Sequence, residues 1–194
     1  MKMRVNLRMW LKKQWQKMII ILLLLCCVLL SIQVVQDVRL RNHVRELFVE
    51  KLVFSAKSIS VNLEVTLQRD EETMCAGLGA AKTYIDMMVQ QMYMPEHVFR
   101  YNILWKEYDF AYEVFVDGYM STSYVQMNVA EMLDRMIDTG EITAEDFEYL
   151  NETKLAMDEF CQSLTKKDGS LRKEAIRTDY FSECFRRLKK RIYR

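Results

Sequence analysis

One proline and five glycines in 194 residues give this chain little of the material of tight turns. A loop-rich or sheet-rich architecture is a poor fit to so few breakers, and long helices are the better one. Histidine is scarcer still. His43 and His97 are the only two, and neither stands three or four positions from a cysteine or from the other, so no helical metal pair is spelled out. The five cysteines include no C-x-x-C, and Cys26 and Cys27 fall inside an apolar run. That leaves Cys75, Cys161 and Cys184, an odd set that argues against a disulfide framework while leaving room for one bridge. No G-x-S-x-G, S-x-x-K or H-E-x-x-H marks a nucleophile or a metalloenzyme. Gly77 and Gly79 belong to no G-x-x-x-x-G-K loop, Glu96-His97 has no nucleophile beside it, and Glu145, Asp146 and Glu148 lack the D-x-D-x-D-G frame of a calcium loop. No catalysis, cofactor or metal is expected.

What the chain does have is an unbroken apolar run from Met18 to Val35, without a charge and with Ser31 and Gln33 as its polar residues. As a helix of 1.5 Å rise it reaches about 27 Å, close to the hydrocarbon thickness of a bilayer. No A-x-A pattern follows it, and Leu25 before Cys26 is too large for a lipoprotein signal. A retained anchor fits better than a cleaved or lipidated leader. Lys2, Arg4, Arg8, Lys12, Lys13 and Lys17 precede the run, against Arg39, Arg41, Arg45 and Lys51 in the 20 residues after it. The bias places the N-terminus in the cytoplasm and the larger part outside it. Trp10 and Trp15 suit the headgroup region.

Beyond the run, no proline or glycine intervenes before Leu67, so the helix is expected to continue outward as a stalk. Ile59, Val61, Leu63, Val65 and Leu67 alternate as a strand would, but Leu52, Ala56, Ile59, Leu63 and Leu67 also share a helical seam, and a lone strand would have no partner. Met74, Leu78, Ala81, Ile85, Met88 and Met92 then alternate four and three apart, the seam of a helix packed on other helices. Gly77 and Gly79 lie within it and mark either a close helix crossing or a break. Pro95 is expected to end that helix and open another. The next face holds Tyr101, Leu104, Tyr108, Ala111, Phe115 and Tyr119, in a stretch, 84–124, with eleven of the 22 aromatics. Trp105, Tyr108, Tyr112 and Phe115 are either core or a partly exposed aromatic groove. A break is expected near Gly118 to Ser123, followed by a helix through Val125, Val129, Met132 and Met136 that Gly140 caps. Thr143 with Asp146 forms a capping box for the following helix, which Lys166-Lys167-Asp168-Gly169-Ser170 stops.

The formal charge of +1 hides a segregation. Residues 131–160 hold ten acids and two bases, and 166–194 hold eleven bases and four acids, so the two stretches are candidates to meet, within one chain or between two. On the amphipathic tail, Arg186, Arg187, Lys189, Lys190 and Arg191 are a candidate contact for an anionic surface.

An N-terminal span, a long helix and a helical bundle in that order resemble the extracytoplasmic halves of bacterial sensor proteins. The chain departs from them in carrying neither a second span nor a cytoplasmic signalling module. The Gly-x-x-Thr-x-Glu-Asp stretch from Gly140 to Asp146 is similar to a helix start in single-span spore-germination accessory proteins, whose downstream domains are absent. Neither resemblance assigns a role to a residue.

The fold expected is all-α: a cytoplasmic tail over 1–17, a transmembrane helix over 18–35, a stalk helix over 36–70, a helical bundle over 71–165 and a basic amphipathic helix over 166–194. The function expected is a single-pass plasma-membrane scaffold or partner-binding module of a bacterial envelope. The seam Met74 to Met92, the aromatics and the basic tail are its candidate contacts. A ligand-sensing subunit signalling through the stalk and an accessory to an envelope hydrolase are the alternatives. Partners are the membrane and another membrane or envelope protein, with self-association open and nucleic acid not expected.

Overall fold

A computed structural model describes residues 2–68, 71–100 and 114–193. The chain is all-α, with five helices and no strand among the described residues. They are α1 (Lys2–Leu67), α2 (Glu71–Arg100), α3 (Met120–Thr139), α4 (Ala144–Leu164) and α5 (Thr178–Ile192). A π-helical turn, Val114–Tyr119, leads into α3, and a 3-10 turn, Lys173–Ile176, precedes α5. Two compact units result, Met1–Val44 and Arg45–Arg194.

The first unit is the inner part of α1. Its large apolar side chains from Met18 to Val35 are 50–65 % exposed. Among the described residues α1 is the one helix long and apolar enough to cross a membrane by length and composition. The hydroxyl of Ser31 donates to the carbonyl of Cys27 at 2.7 Å, so it is satisfied without solvent.

The second unit is a bundle, and the outer part of α1 is one of its members. Val49, Leu52, Ala56, Ile59 and Leu63, at spacings of three and four, are fully buried, so the stretch read as stalk turns into core from Arg45 onward. Val61 is exposed between buried Ile59 and Leu63. In a strand these three would share a face, so the apparent alternation belongs to a helix.

α2 lies close along this segment. A methyl group on Gly77 would stand 2.7 Å from Thr66 Oγ1 and 3.1 Å from the Asn62 carbonyl, whereas one on Gly79 would meet nothing within 4 Å. Gly77 therefore marks a close crossing and Gly79 does not. Pro95, expected as a terminus, lies inside α2, which continues to Arg100. A proline removes one backbone donor and crowds one carbonyl, which weakens a helix without having to end it. The break expected near Gly118 to Ser123 is also absent, because the π-helical turn passes directly into α3. Gly118 is there for packing: an added methyl would stand 2.8 Å from Met92 Sδ and 2.9 Å from Phe185 Cε1. Ser121 and Thr122 donate to the carbonyls of Asp117 and Gly118, at 2.5 and 2.8 Å, at the point where the helical bonding pattern changes.

The capping signals hold. Gly140 takes φ 72° and closes α3 with its N–H on the Met136 carbonyl. Thr143 accepts from the Asp146 amide at 3.1 Å, and Asp146 accepts from the Thr143 amide at 2.9 Å, the reciprocal pair of a capping box. Between α4 and α5 the chain turns at Gly169, φ 84°, with Thr165 and Leu171 bridged. α5 then buries Phe181, Cys184, Phe185, Leu188 and Ile192. Phe185 meets Phe181 edge-on and Phe160 at a tilt, both with centroids 4.9 Å apart, and Phe48 of α1 meets Phe181 at 6.3 Å.

The glycine pair separates two effects. Gly77→Ala should destabilise the bundle by about 1–3 kcal/mol through overpacking. Gly79→Ala should leave it unchanged or stabilise it by up to about 1 kcal/mol through helix propensity. Chemical denaturation of the detergent-solubilised chain followed by circular dichroism reads both, and equal effects would contradict the close crossing.

Candidate interaction surface

Polar side chains fix how the helices of the second unit lie against one another. Ser55 on α1 donates to Gln91 Oε1 on α2 at 3.1 Å. Ser60 on α1 donates to Asp158 on α4 at 2.5 Å, and Lys154 spans Asp158 at 3.2 Å and Glu64 at 3.7 Å. Asp86 on α2 accepts from Gln126 on α3 at 2.7 Å and pairs with Lys82 at 2.8 Å. The contacts that cross from one helix to another set a register that apolar packing alone would leave free to slide, and the pairs Lys154–Asp158 and Lys82–Asp86 hold their partners within one helix.

The six seam residues on α2, Met74, Leu78, Ala81, Ile85, Met88 and Met92, are all buried in the core of this unit. Trp105, Tyr108 and Tyr112 lie outside the described residues, as does the side chain of Phe115, whose backbone is in the π-helical turn. The basic residues of α5 are mostly paired at home. Arg186 and Arg187 reach Glu183 at 3.2 and 3.1 Å, Lys189 reaches Asp117 at 3.0 Å, and Arg191 reaches Glu159 at 3.0 Å and Glu152 at 3.3 Å. Lys190 is exposed. The acidic stretch and the basic tail thus meet within one chain, at Arg191.

Two exposed apolar patches stand out among the described residues of the bundle. On α1 and α2, Leu47, Phe54 and Met87, 44, 59 and 39 % exposed, line a groove of about 570 Å³ together with Glu50, Lys51, Gln90 and Gln91. Tyr84 holds Phe54 edge-on at 6.0 Å. On α3, Met120, Tyr124 and Met127 follow one another four and three positions apart, all exposed, with Tyr193 stacked on Tyr124 at 4.7 Å. The Tyr193 hydroxyl donates to the Met120 carbonyl at 3.3 Å, tying α5 to the start of α3. Sequence reasoning named the opposite, buried face of α3 and missed this one. The signal was the spacing of Met120, Tyr124 and Met127 beside that of Val125, Val129 and Met132.

A smaller cavity of about 260 Å³ opens between α4 and α5, lined among others by Glu159, Phe160, Cys184, Arg187 and Arg191. Its charges are those already paired above. Burial pushes the Cys184 thiol up, and burial followed by the neighbouring Asp158 carboxylate pushes the Cys161 thiol up to about 12. Cys161 donates to the Val53 carbonyl at 3.7 Å, and all five cysteines are free. Among the described residues, no three His, Cys, Asp or Glu side chains gather as a metal site would require. Comparison with protein-family models, with curated proteins and with solved structures finds no match to this chain.

Cys161 should therefore resist alkylation. With the pKa raised from 9.0 to about 12, its thiolate fraction at pH 8 falls roughly a thousandfold below that of an ordinary thiol. Between those two values the unfolded chain gives up a proton that the folded chain retains, so stability from this group is present below pH 9 and falls as pH rises towards 12. Residue-resolved mass spectrometry after iodoacetamide treatment should find Cys161 unmodified in the native protein and modified in denaturant. Rapid native labelling at pH 8 would refute the assignment.

Proposed function

We propose that this protein is a single-pass, membrane-anchored and non-catalytic module that holds a partner protein through its helical bundle. The observation that carries the reading is the apolar run from Met18 to Val35, whose large apolar side chains are exposed among the described residues. In water, so much apolar surface costs about 25 cal/mol per Å², and a bilayer removes that cost while α1 satisfies its own backbone polar groups. Six positive charges before the run and four in the 20 residues after it support a cytoplasmic N-terminus and a bundle outside, in the envelope of a bacterial cell. Binding is supported by the composition of the open patches, since methionine and tyrosine are the residue types enriched where protein surfaces meet. The α3 patch of Met120, Tyr124 and Met127, buttressed by Tyr193, is the face for a different protein.

Fractionation should leave the full chain in the membrane pellet after alkaline carbonate washing. Protease added to spheroplasts should digest the bundle and spare an N-terminal tag. Carbonate release would remove the anchor from this reading, and digestion only after lysis would reverse the orientation.

A further inference from the structure

The exposed apolar residues of α1 in the bundle unit recur with a fixed period. Leu47, Phe54 and Val61 are all exposed and each is seven positions from the next, on the side opposite the buried Val49, Leu52, Ala56, Ile59 and Leu63. A period of seven is what one helix offers another in a left-handed supercoil, whereas a lipid or small ligand requires no such repeat. Counted along the sequence, the same period runs back through Leu40 to Gln33 and Cys26. Gln33 is one of the two polar residues of the apolar run, and Ser31, the other, is satisfied by Cys27. Among the described residues the Gln33 amide has no hydrogen-bond partner, and a glutamine in hydrocarbon finds one on another helix.

We propose that a second copy of this chain covers the stripe, in a parallel pair of α1 helices. The inference rests on the anchored reading above, because one bilayer orients every copy the same way and so lets the stripe meet itself in register. Gln33 then faces Gln33, and Phe54 faces Phe54. Charge complementarity favours self over an unrelated helix. Exposed Glu46 and Lys51 flank Leu47 five residues apart, the offset at which opposite charges meet between parallel supercoiled strands, so a symmetric pair forms both interactions at once. The stripe offers one apolar residue per seven, too narrow to drive pairing in dilute solution. Confinement in a membrane raises the effective concentration that such a weak interface needs.

Oxidative cross-linking of the full chain in its own membranes tests this. With Cys27→Ser, Cys26 remains on the stripe and copper-phenanthroline should give a covalent species of twice 23.2 kDa. With Cys26→Ser, the off-stripe Cys27 should give about tenfold less. Phe54→Glu, a change at an exposed side chain, should lower the Cys26 yield by about tenfold with helicity unchanged, and Lys167→Glu, exposed in the turn after α4, should leave it intact. Protein that stays in the membrane pellet but yields no dimer, yields it equally from both cysteines, or ignores Phe54→Glu overturns the pair and leaves the anchor standing. Protein found in the soluble fraction overturns both.

Discussion

The close approach of α2 to the outer part of α1 is the constraint on which the bundle unit depends. Gly77 removes the one side chain that would hold Thr66 and Asn62 away, and it does so near the end of α1, where the chain turns back. With that approach made, Leu78, Ala81, Ile85, Met88 and Met92 on one side and Leu52, Ala56, Ile59 and Leu63 on the other become a single core. Alanine at positions 56 and 81 keeps the two helices near along their length, and larger side chains fill the space that α3, α4 and α5 close. Gly118 repeats the device elsewhere, admitting Met92 and Phe185 to a place where a methyl would stand. Tight sites of this kind, built from small residues rather than from turns, bring the helices of the bundle unit close together.

Polar contacts then choose among the packings that the apolar core would tolerate. Ser55 with Gln91, Ser60 with Asp158, and Asp86 with Gln126 each join two helices. Every one of them is part-buried, so losing its partner would leave a desolvated group rather than a hydrated one. Arg191 does the same for α4 and α5 through Glu152 and Glu159. Exposed ion pairs of this kind contribute little energy, on the order of 0–1 kcal/mol each. Their effect is on charge. The basic tail, six bases in nine residues by sequence, presents far less uncompensated charge than its composition suggests.

The fold was legible where the physics is local. Gly140 and Gly169 take positive φ as the turn chemistry requires, and Thr143 with Asp146 closes its capping box because both partners lie within four residues of each other. The seams of α1 and α2 were legible too, since the 3.6-residue period is written into any helix with one buried face. Pro95 and the Gly118 region misled for the opposite reason: whether a weak helix position becomes a break is settled by what packs around it, and Met92 and Phe185 are distant in sequence from Gly118. Surfaces were the least legible. A period reports which residues share a face and not which face turns inward, so the α2 seam was a candidate contact until its burial was seen, while Met120, Tyr124 and Met127 passed unnoticed.

Burial also decides which surfaces stand open. With the α2 seam in the core and most of the α5 bases named from sequence paired within the chain, methionine, phenylalanine, tyrosine and leucine in two separate patches stand out on the described surface of the bundle unit. Such side chains are costly to hydrate and, in the case of methionine, easily reshaped, which suits contact with a protein surface better than recognition of a charged ligand. The two patches differ in one respect. Leu47, Phe54 and Val61 repeat every seven residues on a helix that carries the apolar run, whereas Met120, Tyr124 and Met127 form a short cluster with Tyr193 stacked against it and no continuing period. A repeating stripe is a surface for another helix and a compact aromatic cluster is a surface for a pocket. A chain that used both would pair with itself along α1 and still have the α3 face free for a different protein.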